Sequence, residues 1–111
     1  VKVFLLEQGD IILVRFPFSN QTDYKIRPAL VVSNNRHNRQ SDAWFCPITT
    51  KKALHAIPIR QGLAEGMLDR ESYARADVIA TMDQDAALKK IGRLRQEKIR
   101  EVIEAIIKNL E

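Results

Sequence analysis

The stretch "YKIRPALVVSNN", residues 24–35, decides how this chain is read. Ala29 to Val32 form an apolar, β-branched run closed by a polar turn cluster, the pattern of a buried strand. The run opens with Arg27 directly before Pro28, whose ring drives the preceding residue into extended backbone. A guanidinium is thus held at the mouth of a core strand, and such rigidity asks for a reason.

Working outward, further strands flank this one. "IILVRFPF" (11–18) follows Gly9-Asp10, and "AWFCPIT" (43–49) follows the polar loop "NNRHNRQSD" (34–42). "SNQTDYK" (19–25) reads as another loop, and "ALHAIPIR" (53–60) as a partly alternating strand. Residues 61–72 read as a loop with a short turn, and "YARADVIATM" (73–82) as one more strand. Asp83 is placed to cap a short helical turn over 84–90, before a brief strand at "KIGRL". All four prolines, at 17, 28, 47 and 58, stand at the start of strand-like runs or inside them. Proline cannot donate to a ladder, so these positions predict edges, bulges and strand ends in a strongly bent sheet.

The one clear helix begins near Glu97, where Ile99, Val102, Ile103, Ile106, Ile107 and Leu110 follow three-and-four spacing. Its outer side carries Glu97, Arg100, Glu101, Glu104 and Lys108, with Glu104–Lys108 at the favourable acid-before-base spacing. The pattern predicts a mainly β chain with a C-terminal helix over an open sheet face or at a dimer contact. The 111 residues suffice for one domain, 1–111, with a single modest core.

Composition excludes several classes. The chain is 45% hydrophobic and 29% charged, which is globular rather than disordered. Cys46 is the sole cysteine, so no internal disulfide forms, and its apolar surroundings predict a buried thiol. No apolar run has membrane-spanning length, and the first ten residues lack a signal-peptide pattern, so a cytoplasmic protein is expected. Net charge is +4, unevenly spread. Residues 1–60 hold nine Lys/Arg against four Asp/Glu, 61–87 two against six, and 88–111 seven against four. Basic flanks suit a polyanionic partner.

Few polar residues are set among apolar strand residues: Arg15, Arg27, Thr49-Thr50, His55 and Arg75/Asp77. Arg75 and Asp77, two apart in a strand, would share one face. If the strand ends converge, two guanidiniums, hydroxyls and a carboxylate surround one pocket. Those groups suit metal-free cleavage of an RNA phosphodiester by its own 2′-hydroxyl. Arginine forks and hydroxyls stabilise charge on the phosphate, and a carboxylate can take the proton.

Simpler readings stand beside this one. Arg75/Asp77 make a structural ion pair equally well, and on spacing alone that is the plainer account. Arg27 could anchor the loop before it, and threonines favour strands. His37 reads as exposed loop, and His55 as a packing residue on the face of Ile57 and Ile59. Trp44 and Phe45 read as core, with base stacking the alternative for one of them. The two histidines, with no cysteine pair, make no metal site, and no cofactor is expected.

Taken in order, "GDIILVRFPFSNQTDYKIRPALVVSNN", "FCPITT", "SYARADVIATMD" and "IGRLRQEKIREVIEAIIKNL" resemble the PemK/MazF toxins of prokaryotic toxin–antitoxin modules, from about Gly9 to the end. The resemblance implies an SH3-like β-barrel of the CcdB/MazF type with a C-terminal helix, assembled as a homodimer. It implies a metal-independent, sequence-selective endoribonuclease that cuts single-stranded messenger RNA to 2′,3′-cyclic phosphate and 5′-hydroxyl ends. A cognate antitoxin would block the site with an acidic, disordered segment. The family's Arg-Pro arginine falls on Arg27, and its phosphate-binding hydroxyls fall on Thr49 and Thr50. The Arg-x-Asp pattern of the Kid/PemK branch falls on Arg75, as acid, and Asp77, as base. Arg15, Lys25 and Lys51 are the cations expected to add RNA contacts. The first loop lacks the histidine that some relatives have there, and Arg95 stands where a serine often caps the helix. Two alternatives stay open: a CcdB-like binder of DNA gyrase, and a relative that binds RNA without cutting it.

Overall fold

The structure is a computed structural model that describes residues 5–17 and 24–111. Most of the predicted first loop, with Asn20 and Gln21, falls outside the described residues.

The described chain forms eight strands and one α-helix. The strands are β1 (Asp10–Pro17), β2 (Tyr24–Val31), β3 (Asp42–Thr49), β4 (Ala56–Pro58), β5 (Leu63–Gly66), β6 (Tyr73–Arg75), β7 (Ala80–Asp83) and β8 (Ala87–Leu94), followed by α1 (Gln96–Leu110). They pair antiparallel in the order β4-β6-β3-β2-β1-β8-β5, and β7 lies beside the first half of β3. The sheet curls as the prolines predict, but it stays an open barrel, with β4 and β5 at its two ends.

The apolar runs are continuous because both faces of the central strands are buried. Ile11, Leu30, Cys46 and Ile48 pack under Ile99, Val102 and Ile106 of α1. Their neighbours Ile12, Val14, Ala29, Val31 and Phe45 fill a second core in the hollow of the sheet. Successive side chains on a strand point to opposite faces, so each strand feeds both cores. The end of the predicted helical stripe is different: Ile107 and Leu110 remain exposed.

A buried carboxylate anchors the strand junction. Asp10 is wholly inaccessible, and its Oδ1 accepts from Arg93 at 2.8 Å and faces Lys90 at 3.1 Å. Its Oδ2 accepts from the Glu7 backbone N–H at 2.8 Å. Gly9, at φ +95°, lies against Ile99 so closely that any side chain would collide with the helix. The Gly9-Asp10 pair therefore docks helix and sheet together.

Several expected boundaries move. Tyr24 to Ile26 belong to β2, so Arg27 sits within the strand rather than at its start. Residues 61–72 contain a 3₁₀ turn and then β5. The single strand expected over 73–82 is two strands separated by a turn, where Val78 N–H donates to the Arg75 carbonyl. Asp83 does cap a turn, accepting from Asp85 N–H at 2.8 Å, but that 3₁₀ turn covers only Gln84–Ala86, and residues 87–90 of the expected helical turn belong to β8. On α1, Glu104 is engaged by Arg100 at 3.3 Å, and Arg95 stands at the N-cap without a side-chain capping bond.

Candidate active site

The register of the central strands builds the site. β2 and β3 pair at Val31/Phe45, Leu30/Cys46 and Ala29/Pro47, and the ladder stops there. Two more steps would set Arg27 opposite Thr49. Instead β3 leaves β2 with Pro28 and Pro47 at the fork, and Ile48 and Thr49 pair with Ala74 and Tyr73 of β6. Proline offers no N–H for a ladder, so the split falls where the sequence removes the donors.

A cleft of about 460 Å³ opens at that fork, lined by Phe16, Arg27, Pro28, Pro47, Ile48, Thr49, Thr50 and Lys51. Alternation places Phe16, Arg27, Pro47 and Thr49 on the face of the sheet-hollow core, so the cleft is that core's open end. Arg27 is exposed and Thr49 half-buried. Thr49 Oγ1 accepts from the Lys51 N–H at 3.1 Å, which folds the chain back and leaves the hydroxyl proton able to donate.

The structure thus brings together Arg27, Thr49, Thr50 and Lys51. Lys25 shares their face of β2 and pairs with Phe16, but does not line the cleft. Arg15 points to the opposite face of β1, since its neighbour Phe16 takes the cleft side.

Arg75 and Asp77 sit one strand away. β6 runs beside the end of β3, and continuing the Ile48/Ala74 register by one puts Arg75 opposite Pro47. Tyr73, half-buried and directly opposite Thr49, is on the same face, and only the register reveals its place. Asp77 is in the turn after β6 rather than in a strand, so shared strand alternation does not bring it to Arg75. The turn folds it back: Arg75 Nε donates to Asp77 Oδ1 at 3.0 Å, and Nη2 to Oδ2 at 2.7 Å. This two-pronged bond with Arg75 holds the Asp77 carboxyl below the usual carboxylate range and raises the guanidinium's own proton affinity. Nearby His55 lowers Asp77 further, and it is exposed before β4, not packed with Ile57 and Ile59. Burial, and secondarily Asp77, push the Cys46 thiol up to about 12.

Two other expectations are corrected. Phe45 is core, but Trp44 is 42% exposed. His37 is not a free loop residue: its ring stands 4.7 Å from that of Trp44, and its Nε2 approaches Asp42 Oδ1 at 2.9 Å. Among the described residues no three His, Cys, Asp or Glu gather as a metal site, and no helix is long and apolar enough to cross a membrane.

Comparison with known proteins bears on family and fold. A family model, PemK-like, MazF-like toxin of type II toxin-antitoxin system, matches residues 7–110. No curated protein sequence matches significantly. Among solved structures, an endoribonuclease from Mycobacterial species superposes with a TM-score of 0.77 at 18% identity, covering 99% of this chain and 95% of the other. MazE–MazF from Deinococcus radiodurans gives 0.77 at 19%, covering 96% and 97%. An endoribonuclease in complex with its cognate antitoxin from Mycobacterial species gives 0.74 at 22%, covering 95% and 94%. At these identities the likeness is one of fold.

Proposed function

We infer the function from one premise: this chain belongs to the PemK-like, MazF-like toxins of type II toxin–antitoxin systems. It is the toxin of such a module, an endoribonuclease that cuts single-stranded RNA without a metal. The observation that carries this reading is the cleft at the β2–β3 fork, where Arg27, Thr49, Thr50 and Lys51 converge. Phosphate recognition needs that set of donors, and among the described residues no carboxylate lines the cleft to repel the substrate.

In the proposed reaction a ribose 2′-oxygen attacks the adjacent phosphorus, and the bond to the 5′-oxygen breaks. The nucleophile loses a proton and the leaving oxygen gains one, giving 2′,3′-cyclic phosphate and 5′-hydroxyl ends. Arg27 and Thr49 hold the phosphate oxygens as charge builds on them. Thr50 and Lys51 extend the contact along the backbone, with Lys25 beside it and Arg15 reaching RNA only beyond the cleft.

Arg75 and Asp77 are the acid and base that the resemblance assigns. Their geometry supports a narrower division of labour. A carboxylate with lowered proton affinity, occupied by a guanidinium on both oxygens, is a weak base. Arg75 then contributes positive charge beside the cleft, and Asp77 is the positioning residue that aims it.

The cleft's charge also suits the antitoxin, whose acidic segment would take the place of RNA phosphates. A homodimer is proposed with it. Ile79, Ile107 and Leu110 are exposed. They lie near the junction where Asn109 Nδ2 donates to the Ala76 carbonyl at 3.1 Å, an apolar surface suited to a second copy.

The test is incubation of the protein with long single-stranded RNA in excess EDTA, followed by mapping of the ends. Discrete cuts with cyclic-phosphate ends are expected. Intact RNA from folded protein across several substrates would reject the reading.

A further inference from the structure

The loop before β3 is built with more care than a connection needs. Asn38 and Ser33 are buried and bonded to each other side chain to side chain, and Asn38 Nδ2 also donates to the Ser33 carbonyl at 3.0 Å. Gln84, over forty residues away, brings its amide Nε2 to the carbonyls of Asn38 at 2.6 Å, Gln40 at 3.0 Å and Asp42 at 3.1 Å. Satisfied buried polar networks of this kind impose one conformation. What they hold in place is an aromatic ring in the open. Trp44 is paired in β3 through its own backbone, its N–H donating to Ser33 Oγ at 3.0 Å and its carbonyl accepting from Val32 N–H at 2.9 Å. His37 props its ring on one side, and Asn34 holds His37 in turn, its Oδ1 accepting from the His37 backbone N–H at 2.8 Å. Beside the indole is a cleft of about 200 Å³ lined by Asn34, Arg36, His37, Gln40 and Trp44.

An exposed, pre-set indole with amides and a guanidinium around it has the chemistry of a nucleobase platform. Every base has a π-face to stack, amides can meet its edge, and arginine can meet the adjoining phosphate. The charges favour RNA over an acidic or apolar peptide. Arg36 lines the cleft and Arg39 follows in the same loop, while Asp42 is not among the residues lining the cleft. The platform is not part of the cleavage cleft. Trp44 and Thr49 are five residues apart on β3, so they face opposite sides of the sheet, about 17 Å apart along the strand.

We propose that the Trp44 cleft is a second contact for single-stranded RNA, taking one unstacked base outside the cut site; this rests on the ribonuclease reading. Its role is to hold a longer transcript, so it acts on KM for long RNA and leaves the chemistry of a bound short substrate alone.

Trp44 is the only tryptophan in the chain, so its fluorescence reports the site directly. The probes are adenosine monophosphate and a short oligoadenylate, titrated into the Arg27→Ala protein so that nothing is cut. Saturable quenching is expected. In parallel, binding of a fluorescently labelled oligoadenylate should weaken about tenfold in Trp44→Ala and several-fold in Arg36→Ala, whose surface position spares the fold. In the otherwise native enzyme, both changes should raise KM for long RNA and leave kcat for a short substrate within about twofold. Unchanged emission while labelled RNA binds, or equal binding by both variants, overturns the proposal. So does a Trp44 that acrylamide cannot quench, the mark of a ring covered by a second copy. The two readings fail separately: quenching without cleavage by the native enzyme would sink the nuclease and keep the platform, and cleavage without quenching would do the reverse.

Discussion

Replacing Arg27 by alanine should abolish most cleavage while leaving the fold untouched, and the size of each effect can be worked out. The side chain is exposed at the open end of the cleft, with no salt bridge among the described residues. Its removal should therefore cost stability no more than about 0.5 kcal/mol, the usual range for a surface substitution. Against a phosphate oxygen at about 4 Å, a unit charge is worth about 1 kcal/mol in water and about 4 at the effective dielectric of a protein surface. The cleft has apolar walls, Phe16, Pro28, Pro47 and Ile48, and an open mouth, so a value near the middle applies. About 2.7 kcal/mol of lost transition-state stabilisation is a hundredfold fall in rate. Arg27→Lys keeps the charge and loses the fork, and should retain about a tenth of the activity. The assay is single-turnover cleavage of a labelled RNA in EDTA, with thermal melting of each variant beside it. Activity of Arg27→Ala within about threefold of the native protein would refute the assignment. A melting point lowered by more than a few degrees would show that Arg27 supports the fold instead.

Three other outcomes follow from the geometry. Asp77 has a folded pKa below its ordinary 3.8, so it stays ionised down to at least that pH, and the stability it adds is lost only as pH falls through the lowered value. A pH–rate profile should then show no acid limb from Asp77 between pH 5 and 8, and Asp77→Asn should keep more than about a tenth of the activity; a loss beyond about a hundredfold would restore the base role. Asp10→Ala strips a buried acceptor from Arg93, Lys90 and the Glu7 N–H; because both cations keep some solvent access, the cost should be about 3 kcal/mol, or roughly 12 °C by calorimetry, and a shift under about 3 °C would contradict this. Cys46, buried and with its thiol raised to about 12, should resist iodoacetamide in the native protein and react on addition of urea.

Much of this was legible in the residues because it is local. Strands and helix follow from apolar runs and three-and-four spacing, and the Arg-Pro and Pro-Ile-Thr-Thr segments mark two sides of the cleft. Even the fork between β2 and β3 has a local cause, two prolines without donors. Where the reading erred, distant partners had decided. Trp44 looked like core, yet a loop latched by Gln84 sets it in the open. His37 looked free until Asp42 and Trp44 closed around it. Ile107 and Leu110 continue a perfect stripe and still find no sheet beneath them. Asp77 meets Arg75 through a turn, not through strand alternation. The sequence by itself determined which segments extend, which one coils, and which side chains can hold a phosphate, since propensity and period are properties of neighbours. Only the tertiary structure decided which of those groups face one another and which faces stay uncovered. Register and burial are set by strands that meet from far apart in the chain, and no single segment carries that information.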